Sequence, residues 1–170
     1  SIPRRHSLYK GASGYFPRSQ EIPKLGGDEQ PKPICAGSGV KSFDFLVYRG
    51  DGDPGLVDVR GRKFPYDPAD GQKRYWENWV TREDLTGLTH WEKAFGAGFR
   101  GMFVFAYLLA AGGERLPSIH VHPFGGECYA FMCISLADYR ASCRTRSASW
   151  DTVSMPAARF RASAVPIQVA

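Results

Sequence analysis

The stretch "FDFLVYRGDGDPGLVDVRGRKF", Phe43 to Phe64, decides how this chain is read. Its two halves are rich in aromatic and β-branched residues, and "GDGDPG" between them supplies turn chemistry. That pattern predicts a β-hairpin with a loop longer than two residues. Each strand nevertheless carries an aspartate, Asp44 in the first and Asp58 in the second, and Arg60, Arg62 and Lys63 follow. A charge inside a run of Phe, Leu and Val is costly unless it is paired or binds a metal.

Downstream of the hairpin, "PYDPADGQKR" reads as a connecting loop, and "RYWENWVTREDLTGLTHWEKAFGAGF" then looks helical. Thr81 is placed to cap, with Asp84 three residues on as a variant capping box. Leu85, Leu88, Trp91 and Phe95 recur at three- and four-residue steps on one face, and Gly96 and Gly98 end the helix. "RGMFVFAYLLA" has the pattern of a central strand covered on both faces. "IHVH" is a candidate short strand. "ECYAFMCISLADYRA" reads as a strand that runs into a turn or helix at Asp138. "WDTVSMPAARFRA" offers a short strand and a helix started by Pro156. The order β-β-α-β-β predicts a mixed α/β layer.

Upstream lies a different composition. Residues 1–40 are rich in Pro, Gly and Ser with little periodicity, and "PKLGGDEQPKP" has the character of a loop. The expected organisation is an irregular arm over 1–40 and one α/β domain over 41–170. A chain of 170 residues suffices for a single core. Because it opens on Ser1, the natural start is expected to lie upstream. The net charge of +5 and pI near 9.1 tilt it toward an anionic partner, most simply nucleic acid. Cys35, Cys128, Cys133 and Cys143 form no CxxC pair, which argues against a disulfide framework and a structural zinc site. "GMFVFAYLLAAGG" is too short to span a bilayer, and no signal peptide is evident, so a soluble, cytoplasmic protein without membrane contact is expected.

If the two strands pair, Asp44 and Asp58 point from one face toward one cation. Mg²⁺ and similar hard cations prefer such oxygens and keep several waters. Alternation puts Arg60 on the same face as Asp58. Two carboxylates and a cationic side chain around a metal are the set needed for phosphodiester hydrolysis. The competing reading is a structural ion pair of the aspartates with Arg60 or Arg62 at the sheet edge.

"FDFLVY…GLVDVRGRKF", followed by a helix and an apolar strand, resembles the metal-binding core of the PD-(D/E)XK nuclease-like superfamily. Over Lys41 to about Pro166, "KSFDFLVY…LVDVRGRKFP…WENWVTREDLTGLTHWEKAFGAGFRGMFVFAY" is more closely similar to the bacterial HYExAFE-type family of that superfamily. The resemblance implies a restriction-endonuclease-like fold, a mixed β-sheet flanked by helices, and a Mg²⁺- or Mn²⁺-dependent nuclease acting on DNA. It makes Asp44 the first acid and Asp58 the second, with the Val59 carbonyl as a further ligand. Arg60 stands where the motif has lysine, which is thought to orient the attacking water. Arginine is bulkier and effectively never deprotonates. Lys63 is an alternative amine, on the opposite face if the strand continues regularly. The glutamate-bearing N-terminal helix found in many members has no counterpart in Ser1–Gly39. Both departures leave open a non-catalytic nuclease-fold module that binds nucleic acid or protein.

Other residues carry weaker signals. Glu77 and Asn78 are placed to line the same site or, as the plainer reading, to cap or face solvent. Trp76, Trp79 and Trp91 suit base stacking or core packing. Arg140, Arg144, Arg146, Arg159 and Arg161 suit phosphate contact or a solvated face. "HVHPFGGE" puts His120 and His122 on one strand face, with Glu127 after them as a candidate third ligand. The spacing resembles the first cupin motif, with Gly113 near the preceding glycine, but no histidine follows His122. A small-molecule metalloprotein using this pair is the second alternative, and a surface hairpin the plainer reading.

Overall fold

The structure, a computed structural model, describes residues 39–48, 52–64, 76–109 and 120–167. The arm expected over 1–40 lies almost wholly outside them, as do Cys35 and Gly113. Within them the chain is mixed α/β. A mixed sheet of six strands takes the order β1 (Phe45–Val47), β2 (Gly55–Phe64), β4 (Arg100–Leu109), β6 (Glu127–Ser135), β5 (His122–Phe124), with β9 (Val165–Pro166) also pairing with β6. A second, antiparallel sheet orders β3 (Val80–Thr81), β8 (Thr152–Ser154) and β7 (Arg144–Ser147). The helices are α1 (Arg82–Phe95), α2 (Leu136–Ser142) and α3 (Ala157–Ser163).

The hairpin forms as expected, with β1 antiparallel to β2. β2 and β4 then run parallel, joined through β3 and α1, because parallel neighbours need a long crossover. Both are ten-residue strands buried through most of their length. Their apolar runs reflect cover on two faces. On one face Leu56, Phe64, Phe103, Phe105 and Tyr107 pack with Leu88 of α1, Tyr139 of α2 and Phe160 of α3. On the other, Val57 and Val59 pack with Val47, Val104 and Ala106. The helices were expected to flank the sheet; those described bury their apolar residues in the first of these clusters.

Local chemistry sets the ends of α1. Thr81 accepts from the Asp84 N–H at 3.0 Å, and the Asp84 carboxylate accepts from the Thr81 N–H at 3.0 Å. This reciprocal pair satisfies two otherwise orphaned donors. Gly96, at φ 87°, closes the helix with its N–H on the Glu92 carbonyl. Residues 76–79, inside the stretch read as helical, are not helix, since the cap at Thr81 starts the helix after them. β5 overlaps "IHVH" only at its last residue, His122. The small sheet pairs short segments distant in sequence, which no local pattern announces.

Gly87 fixes how the chain enters β1. A β-carbon there would stand 2.7 Å from the Lys41 carbonyl oxygen, so only glycine lets residues 41–43 cross α1. The Trp91 indole donates to the same carbonyl at 2.9 Å, and Phe43 packs edge-on against Trp91. This crossing brings Lys41 to Asp84 in the first turn of α1.

Candidate functional site

Alternation along β2 puts Leu56, Asp58, Arg60, Arg62 and Phe64 on the face covered by α1. Three charged residues therefore lie in a row on this face, with Arg60 tied to α1 through Asp84 and Arg62 lying on Trp79 ahead of the helix. Asp58 and Arg60 are 3% and 5% exposed, so their charges are removed from water. They pair with one another, and the guanidinium of Arg60 also lies 2.9 Å from Asp84, itself 3% exposed. Lys41 pairs with the same Asp84 carboxylate from the crossing segment. The sequence marked Asp84 only as a cap. Its position four residues before Leu88 on the inward stripe is the signal that places it beneath the helix.

Asp44 arrives from the hairpin. It stands one residue beyond the last β1–β2 rung, Phe45↔Val57. Its N–H donates to the Val57 carbonyl at 2.9 Å, and its Oδ2 accepts from the Val59 N–H at 2.8 Å. The carboxylate thus takes the role of a ladder carbonyl where β1 stops. Asp44 is exposed, whereas Asp58 beside it is buried.

The two carboxyls interact. Burial pushes the Asp58 carboxyl up to about 7; Arg60 opposes the shift, and a hydrogen bond and like charge from Asp44 reinforce it. Near neutral pH the buried Asp58 carboxyl is therefore partly protonated. Asp84 moves the other way. Burial disfavours its charge, but Lys41, Arg60 and Thr81 more than offset that and hold it below the usual carboxylate range.

Arg62 continues the row away from the aspartates. It donates to the Trp79 carbonyl, and its guanidinium lies 3.8 Å from the Trp79 ring centre. Burial lowers it to about 10, partly countered by Glu77. It makes no ion pair with Asp58 among the contacts described; that role falls to Arg60, beneath α1 rather than at the sheet edge. Lys63, out of phase with this face, is exposed on the other side and is not brought to the site.

Asn78 departs from its plainer reading. It is buried, donates to the Met155 carbonyl at 3.2 Å and accepts from the Met155 N–H at 2.7 Å, tying β3 to the segment before α3. Glu77 offers its backbone carbonyl to Tyr107 Oη at 2.7 Å. Trp76 stacks on Phe64 at 3.9 Å, and Trp91 packs against Phe43, so both serve packing. His120 is exposed and His122 packs against Phe131. Glu127 accepts from Tyr129 Oη at 2.5 Å. Among the described residues no group of three or more His, Cys, Asp or Glu side chains could hold a metal ion. No described helix is long and apolar enough to cross a membrane.

The chain matches no protein-family model, no curated protein and no solved structure. Its site is therefore judged on its own chemistry. Asp44 and Asp58 offer two carboxylates, which suits Mg²⁺ or Mn²⁺, cations that keep several waters and need one or two carboxylates from protein. Against this, the Arg60 guanidinium already sits on Asp58.

Proposed function

We propose that this chain is a divalent-metal-dependent nuclease-like protein that hydrolyses DNA phosphodiester bonds, with Mg²⁺ or Mn²⁺ held by Asp44 and Asp58. The observation that carries this reading is the meeting of the two carboxyls, one exposed and one buried, at the end of a hairpin. The run of hairpin, helix and parallel strand, β1–β2–α1–β4, supports a restriction-endonuclease-like core.

Each residue has a defined part. The Val59 N–H holds the Asp44 carboxylate at the mouth of the site. Asp84 and Lys41 hold Arg60 in place. Arg60 does not act as a base, because its guanidinium does not give up its proton at ordinary pH; it stabilises negative charge that builds on a phosphate. A bound divalent cation would supply polarisation of the phosphate and an acidified water.

Arg60 also favours a second reading, a non-catalytic module on the same scaffold. A guanidinium paired to Asp58 on one side and Asp84 on the other stands where a cation's charge would be needed.

Incubating supercoiled DNA with Mn²⁺ and wild type, Asp58→Asn or Arg60→Lys separates the two. The nuclease reading expects slow Mn²⁺-dependent nicking, absent in Asp58→Asn and faster in Arg60→Lys. Nicking that survives Asp58→Asn contradicts the site. DNA binding without cleavage by wild type and Arg60→Lys supports the non-catalytic module.

A further inference from the structure

Trp150 is 78% exposed, the most exposed of the large hydrophobic side chains described. A single exposed apolar side chain is ordinary on a protein surface; what sets Trp150 apart is the basic strand beside it. It sits in the turn joining β7 to β8, and that turn is braced. The Asp151 N–H donates to the Ala148 carbonyl at 3.3 Å, and the Trp150 N–H donates to Ser147 Oγ at 3.2 Å. Asp151 holds φ at 45°, a left-handed conformation that Asp tolerates better than most residues.

The turn is also tied to α1. The Arg82 N–H donates to the Asp151 carbonyl at 2.9 Å, its Nε lies 3.0 Å from Asp151 Oδ1, and Arg82 donates to Thr145 Oγ1 at 2.5 Å. Asp151 is the sole acid in the sequence from Arg144 to Ser154, and this ion pair neutralises it. Arg144 and Arg146 of β7 are both exposed. Arg146 lies 5.3 Å from the ring centre of Trp79, whose ring Arg62 also covers. An exposed indole on a braced turn thus stands beside a basic edge strand, and the sequence from Arg144 to Ser154 carries one acid, already paired with Arg82.

We propose that the β7–β8 hairpin is a docking surface for single-stranded nucleic acid, with the Trp150 ring stacked on an unpaired base and Arg144 and Arg146 on the phosphates. Charge selects a polyanion, and the exposed ring selects one with flat faces to offer. Duplex DNA hides those faces inside its own stack, so the surface favours unpaired strand. This deepens the nuclease reading and shares with it the assumption that nucleic acid is the partner.

The test is a fluorescence-anisotropy titration of labelled oligothymidylate in EDTA, where cleavage plays no part. Wild type, Trp150→Ala and Arg144→Ala are compared, with duplex DNA and polyglutamate as competitors. Because Trp150 and Arg144 are exposed, both variants should fold. The expected result is binding weakened roughly tenfold or more by Trp150→Ala. Arg144→Ala lowers the salt dependence by about one phosphate contact. Duplex and polyglutamate compete poorly. Equal binding by wild type and Trp150→Ala overturns this surface while leaving nucleic acid as the partner. Full competition by polyglutamate overturns it in favour of an acidic protein partner. If wild type binds no oligothymidylate, the surface is overturned, and the Asp44–Asp58 metal reading still stands or falls separately on metal titration.

Discussion

The carboxylate of Asp84, in the first turn of α1, lies 2.9 Å from the guanidinium of Arg60 on β2, with both side chains almost fully buried. One residue thus caps a helix, pairs with the exposed-side Lys41 and holds the cation that faces Asp58. The helix start and the candidate site cannot be altered independently.

Arg60→Leu removes the cation between two buried carboxyls and is expected to cost about 3–5 kcal/mol, the usual penalty for orphaning a buried charge. The loss is greater above about pH 7, where Asp58 is ionised, than below it. Urea unfolding of the variant on both sides of that pH measures it. A cost under about 1 kcal/mol at both would show that the network is not buried as described.

Asp58 gives stability a specific pH dependence. Its carboxyl is raised from 3.8 to about 7, so between these values the folded chain binds more protons than the unfolded one. Stability therefore falls as pH rises across that window, by up to about 1.4 kcal/mol per pH unit. Asp84, held low, acts in the opposite sense: its contribution is present above its unfolded value and is lost as pH falls through its depressed folded value. Asp58→Asn should flatten the first slope and leave the acid limb. An unchanged slope in that variant would assign the dependence to another group.

Gly87→Ala drives a β-carbon against the Lys41 carbonyl. The expected loss is about 1–3 kcal/mol, as for overpacking elsewhere. If the displaced crossing takes the Lys41–Asp84 pair with it, Lys41→Ala should cost less in the Gly87→Ala background than in wild type, and strictly additive losses would show that the crossing does not hold the pair. Thermal unfolding of the two single variants and the double variant reads this directly.

Much of the fold was legible because its signals were local. Strand pattern and turn residues gave the β1–β2 hairpin, and Thr81, Asp84 and Gly96 marked the ends of α1. The small sheet was not legible, since β3 and β8 pair across more than seventy residues and each is very short. Within the site, the hairpin located Asp44 and Asp58 together, and alternation separated Lys63 from Arg60. Asp84 was read by its capping role alone, although its helical phase points it inward with Leu88. Asn78 was read as a surface or capping group because its partner, Met155, is distant in sequence and contributes backbone atoms that carry no residue signature.

The proposed function requires Asp44 and Asp58 to share one divalent cation. Its most direct test is calorimetric titration of Mn²⁺ into wild type, Asp58→Asn and His120→Ala, in buffers of differing ionisation heat. Wild type should bind with release of a proton, since Asp58 is partly protonated near neutral pH. Binding should be lost in Asp58→Asn and unchanged in His120→Ala. Binding that persists in Asp58→Asn, or disappears only in His120→Ala, would contradict it.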